Sequence, residues 1–169
     1  MCQQDLPFQV GDQVIHWIYG PGIIIALDEK TLSGNTEKYY VIKTRDLTIW
    51  VPLNETAESC LRYPATAEAF QQLIDILSSP VEPLPTDRYE RKNLLTDLIK
   101  VHSLEVICRL LRDLSYFKQH NKVNDSDNAI LSQAKNILRN EWSLALKVTP
   151  AQAEGALDAL VGNSLKVAG

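Results

Sequence analysis

Residues 13–27 read QVIHWIYGPGIIIAL, two runs of β-branched and aromatic residues separated by the turn sequence Tyr19-Gly20-Pro21-Gly22. Such runs, bounded by Gly and Pro, are typical of β-strands. Two similar runs follow at 39–42 (YYVI) and 47–51 (LTIWV), after a turn cluster at 33–36. Four or five strands in about fifty residues favour a small antiparallel barrel over an open sheet, because a barrel exposes no strand edges.

The second part of the chain has a helical pattern. After Pro64, four apolar residues follow the i, i+3, i+4, i+7 spacing of one helix face: Phe70, Leu73, Ile74 and Leu77. The Pro-rich segment 78–86 interrupts this pattern and is the one linker-like stretch, since prolines do not fit inside a helix. Four further helices are predicted to start at capping residues: Asp87, Ser103, Asn124 and Thr149. The sequence therefore predicts an α+β chain, with a β-barrel over 1–64 and a helical bundle over 66–169.

Composition and charge restrict the classes of function that the chain can have. Seventeen basic and twenty-one acidic residues give a net charge of −4, which excludes a whole-chain basic field for nucleic acid. No apolar run approaches the roughly 20 residues that span a bilayer, and the first residues lack the pattern of a secretory signal. Three scattered cysteines, Cys2, Cys60 and Cys108, are expected to be reduced thiols. The sequence predicts a cytoplasmic protein without a membrane partner.

Residue patterns for catalysis or metal binding do not occur in the sequence. The three histidines, His16, His102 and His120, stand far apart, and neither a Cys-x2-Cys nor a His-x3-His spacing is present. There is also no nucleophile elbow, phosphate-binding loop or dinucleotide fingerprint. We therefore expect no enzymatic activity, no metal and no cofactor.

The start of the second predicted helix concentrates cations and an aromatic ring. Residues 88–92 read RYERK, and their spacing places Arg88, Arg91 and Lys92 on one helix face. Such a helix start can contact phosphates and press the ring of Tyr89 against a groove of DNA. The alternative interpretation is a solvated helix start, with ion pairs to neighbouring carboxylates.

The β part is rich in aromatic residues. Small barrels bury several aromatic rings, so most of these residues are expected in the core. Trp50 lies at a strand end beside Val51 and Pro52, where an outward-facing ring could anchor a protein partner. The sequence alone does not determine on which face of the strand the ring of Trp50 lies.

The order of motifs along residues 8–162 resembles the CarD/CdnL family of bacterial regulators that bind RNA polymerase. In the first part the matching motifs are Phe8-x-Val10-Gly11-Asp12-x-Val14, Gly20-Pro21-Gly22, Tyr39-Tyr40-Val41-Ile42 and Leu47-Thr48-x-x-Val51-Pro52. In the second part they are Leu84-Pro85-Thr86-Asp87, Arg112-Asp113-Leu114, Asp127, Ala134-Lys135-x-Ile137-Leu138 and Glu141. The family shares its first module with the polymerase-binding part of the transcription–repair coupling factor.

The resemblance implies a Tudor-like barrel that binds the RNA polymerase β subunit and a helical domain that contacts promoter DNA. Such a monomeric regulator changes the stability of the open promoter complex and catalyses no reaction. The family's polymerase-contacting arginines fall at Lys30 and Trp50, and its groove-wedging tryptophan falls at Arg88, next to Tyr89. Arg91 and Lys92 complete the expected DNA-contacting set. The alternative is a protein-interaction adaptor that keeps the barrel but has lost the DNA contact.

Overall fold

The computed structural model describes residues 7–53 and 60–167, with side chains up to residue 162. The chain divides into two compact units, residues 1–64 and residues 65–169. Within the described ranges, no helix combines the length and the apolar character that crossing a membrane requires.

The first unit is an antiparallel sheet with the strand order β4-β3-β2-β1-β5. Its strands are β1 (Gln13–His16), β2 (Gly20–Leu32), β3 (Asn35–Thr44), β4 (Thr48–Pro52) and β5 (Leu61–Arg62). The turn between β2 and β3 consists of Ser33 and Gly34, both with positive φ, as a two-residue hairpin of matching twist requires. The predicted strands are confirmed, and this sheet is the barrel-like part of the predicted α+β fold.

One face of this sheet forms the core of the first unit. Alternation along β3 turns Tyr40 and Ile42 inward, where they pack with a set of buried apolar residues: Phe8, Val14, Ile24, Val51 and Leu61. Gly22 lies against this core, and a Cβ atom there would be 2.7 Å from Cγ2 of Ile42. Gly22 is therefore required for close packing of β2 against this core.

The second unit consists, among the described residues, of five helices. They are α1 (Ala67–Leu77), α2 (Arg88–Lys100), α3 (Leu104–His120), α4 (Asp125–Leu146) and α5 (Pro150–Val167). The four predicted caps are confirmed, since each accepts a hydrogen bond from a backbone N–H group in the first turn of its helix: Asp87, Ser103, Asn124 and Thr149. Thr66 caps α1 in the same way, by accepting from the backbone N–H of Ala69. Local capping chemistry thus fixes where each helix begins.

The Pro-rich segment 78–86 is packed onto helix α3. The backbone N–H of Glu82 donates to Oδ1 of Asp113 over 3.0 Å. The buried side chain of Arg112 donates to the same carboxylate over 2.8 Å and to the hydroxyl of Ser79. These bonds hold the linker-like segment against α3 within the second unit.

The described cysteines, Cys60 and Cys108, are reduced thiols, as expected. Cys60 is partly exposed, whereas Cys108 lies in the core of the second unit. Burial raises the pKa of the Cys108 thiol to about 12, so this thiol stays protonated and unreactive at neutral pH. Cys2 lies outside the described residues.

Candidate interaction surfaces

The face of the first unit opposite its core carries Trp50. Trp50 on β4 pairs with Val41 on β3, which pairs with Ala26 on β2. Paired residues of neighbouring antiparallel strands point to the same face, so Trp50 lies on the face opposite Tyr40. The ring is 43% exposed. The structure thus resolves the open question of its orientation, and Trp50 lies at the surface.

Lys30 lies above this ring. Its Nζ atom is 4.3 Å from the centroid of the Trp50 ring and 5.9 Å from that of Tyr39. The indole Nε1–H donates to Oδ2 of Asp28 over 3.1 Å, and the hydroxyl of Tyr39 donates to Oε2 of Glu37 over 2.9 Å. We call these five residues the ring cluster. The structure therefore brings together the two residues expected to contact polymerase.

Three members of the ring cluster were missed by sequence reasoning. Asp28 and Tyr39 are cross-strand partners, and Lys30 pairs with Glu37 further along the same hairpin. These pairs follow from the two-residue turn at Ser33 and Gly34, and the irregularity of β2 lies beyond them, between Ile24 and Ala26. The turn cluster at 33–36 is therefore the sequence signal that could have placed the two carboxylates beside the rings.

The start of α2 presents a second cluster. Asp87 caps the helix by accepting from the backbone N–H groups of Tyr89 and Glu90, both over 2.9 Å. Tyr89 is 63% exposed, and its hydroxyl accepts from Nη2 of Arg88 over 2.7 Å. Lys92 is exposed one turn further on. We call Arg88, Tyr89 and Lys92 the helix-start cluster.

Arg91 does not belong to this exposed face, which corrects the prediction that it contacts DNA. It is 3% exposed, and its guanidinium forms two hydrogen bonds of 2.8 and 3.0 Å with Asp127 on α4. The physical reason is helix geometry. Lys92 is rotated by about 40° from Arg88, whereas Arg91 is rotated by about 60° in the opposite sense, toward the stripe that also buries Leu95.

Arg91 instead holds the chain that leads into α2. Its Nη1 donates to the carbonyl oxygens of Pro85 and Thr86, both over 3.1 Å, and its guanidinium lies 4.5 Å from the ring centroid of Phe117. Burial acts to raise the pKa of Asp127, but the hydrogen bonds from Arg91 and from the backbone of Asn124 outweigh it and leave that pKa below its ordinary value. The pair is therefore ionised, and it positions the helix-start cluster on the second unit.

The first histidine has a local structural role. Nδ1 of His16 accepts from the backbone N–H groups of Ile18 and Tyr19 over 3.0 and 3.3 Å, which stabilises the turn after β1. Within residues 7–53 and 60–167, no group of three or more metal-ligating side chains comes together.

Comparison with known proteins accounts for both units. Residues 8–63 match the CarD-like/TRCF RID domain, and residues 72–158 match the CarD C-terminal domain. The chain is also 26% identical over 147 residues to the "Putative transcription factor YdeB" of Bacillus subtilis (strain 168), an alignment that covers 86% of this chain and 96% of the relative. With both domains matched in the family's order, the chain belongs to the CarD family of transcription regulators.

Proposed function

We propose that this regulator binds the β subunit of RNA polymerase through the ring cluster. The observation that carries the proposal is the surface position of Trp50 within a domain of the CarD-like/TRCF RID type. A large aromatic ring held in place by hydrogen bonding gives contact area at a low cost in side-chain entropy. Aromatic residues of this kind dominate the binding free energy of many protein interfaces.

We propose further that the helix-start cluster contacts promoter DNA once polymerase holds the protein nearby. Arg88 and Lys92 lie on one side of α2 and can pair with phosphates, while Tyr89 offers a ring next to them. The net charge of −4 speaks against tight binding to free DNA. Tethering to polymerase removes that requirement, because it raises the local concentration of DNA to the millimolar range.

Binding to polymerase is tested with the full chain and core RNA polymerase from its own host. A photo-crosslinking amino acid at Thr48, which shares the sheet face of Trp50, should capture the β subunit. The same substitution at Lys118, on an exposed position of α3, serves as the control. Capture of another subunit, or of none, contradicts the assignment to the β subunit.

The effect on promoters is tested by footprinting and by the lifetime of the open complex. With the protein present, we expect extended protection of DNA and a changed lifetime. The adaptor alternative is favoured by the burial of Arg91, which leaves two exposed cations in the helix-start cluster. It predicts binding to polymerase with a footprint and a lifetime that do not change.

A further inference from the structure

The ring cluster already holds a cation, and that cation comes from the chain itself. The ammonium of Lys30 lies 4.3 Å from the centroid of Trp50 and 5.9 Å from that of Tyr39. The negative face of an aromatic ring attracts a cation at such distances. The two rings and the space above them therefore form a slot whose geometry suits a positively charged group.

Two carboxylates make the slot more favourable for cations. Asp28 accepts from the indole N–H of Trp50, and Glu37 accepts from the hydroxyl of Tyr39. Both donors are neutral, so each hydrogen bond orients a ring without cancelling the charge of its carboxylate. With Lys30 in place the ring cluster carries a net charge of −1, and without it −2.

Lys30 is able to leave the slot. Its side chain is exposed and attached to an exposed part of the β2–β3 hairpin. An exposed cation–π contact is weak, and the lysine stem is flexible enough for the ammonium to move into water.

Resting on the proposed function, we propose that the ring cluster is a receptor for a cationic side chain of RNA polymerase, which displaces Lys30 from the rings of Trp50 and Tyr39. Charge complementarity selects this partner, since the vacated cluster has two carboxylates beside two ring faces. Lys30 then acts as an internal competitor that weakens binding. Lys30 therefore opposes binding and does not itself contact polymerase.

The two roles of Lys30 predict opposite results for one variant. If Lys30 is a competitor, Lys30→Met tightens binding of the full chain to core RNA polymerase about two- to fivefold, because an exposed cation–π contact no longer has to be broken. Lys38→Met removes the same charge from the same hairpin, where Lys38 pairs with Glu29 over 3.8 Å, and should not tighten binding. Asp28→Asn should weaken binding in either background. Weaker binding by Lys30→Met shows that Lys30 itself contacts polymerase and overturns the proposal.

A second measurement examines the slot without polymerase. Tetramethylammonium chloride is titrated into the Lys30→Met protein while the indole N–H signal of Trp50, assigned by its loss in Trp50→Phe, is followed by NMR. We expect a saturable shift that is larger than in the wild type and absent with sodium chloride at matched ionic strength. Equal shifts in both proteins contradict the cation slot. If the wild type fails to bind polymerase, the proposed function is wrong, while this titration still decides the chemistry of the slot.

Discussion

Lys30 and Arg91 are both cations in clusters expected to bind partners, yet their surroundings differ. Lys30 lies at the surface, with its ammonium over the ring of Trp50. Arg91 lies in the interior, with its guanidinium paired to Asp127 and bonded to two carbonyl groups. A cation over an exposed ring can exchange its partner at small cost, whereas a cation paired with a buried carboxylate cannot. The exchangeable contact of Lys30 is suited to a binding surface, whereas the ion pair of Arg91 stabilises the fold.

Removal of Arg91 gives the largest expected effect. Arg91→Met leaves the carboxylate of Asp127 buried without its charged partner, which should lower the free energy of unfolding by about 3–5 kcal/mol. Urea denaturation followed by far-ultraviolet circular dichroism measures this loss. Lys92→Met, one residue further along α2 and exposed, should change stability by no more than about 0.5 kcal/mol. Similar values for the two variants would show that the two cations have similar surroundings.

Trp50→Ala should give the next largest effect, on binding rather than on stability. An exposed aromatic anchor contributes about 2 kcal/mol or more at an interface, which corresponds to a loss of about thirtyfold in affinity for RNA polymerase. Because the ring lies on the face opposite the core, the unfolding transition should shift little. Tyr89→Ala serves as the control, since it removes an exposed ring from the second unit. Unfolding of the variant would place Trp50 in the core, and unchanged affinity would make it an ordinary surface residue.

The same comparison separates the features that could be predicted from the sequence from those that could not. Helix starts were predictable because the cap and its N–H partners, such as Asp87 and Glu90, lie within one turn. The side on which Arg91 lies depends on a partner 36 residues away on another helix. Leu95, four residues later, is a signal that could have placed Arg91 on the inner face. The ring cluster depends on strand register, which the two turn residues between β2 and β3 set, and the sequence pattern marks that turn only as a cluster over 33–36.

Acid should weaken the buried pair and thereby reduce the stability contribution of Asp127. Its pKa in the folded protein lies below the ordinary value, so its contribution is fully present above the unfolded pKa of about 3.9 and is lost as pH falls through the lower, folded value. The stability gap between the wild type and Asp127→Asn should therefore narrow below about pH 4. Urea denaturation at a series of pH values measures the gap. Asp125→Asn, at an exposed position in the same turn, is the control, and a pH-independent gap for Asp127→Asn would contradict the lowered pKa.

The smallest expected effect concerns the exposed cations that remain once Arg91 is assigned to the interior. Arg88→Glu combined with Lys92→Glu removes both charges from the helix-start cluster and leaves the ion pair with Asp127 intact. Each lost phosphate contact should reduce the slope of log affinity against log salt by about 0.9, so the difference from wild type should shrink as salt rises. The affinity of the polymerase–regulator complex for promoter DNA, measured over a range of potassium chloride concentrations, gives this slope.

Lys100→Glu combined with Arg109→Glu makes the same charge change at exposed positions outside the cluster and should preserve the slope. Equal slopes and equal footprints for the two double variants would favour the adaptor, because the exposed cations of α2 would then carry no phosphate contact. A reduced slope with unchanged binding to polymerase would assign the two functions to the two clusters separately.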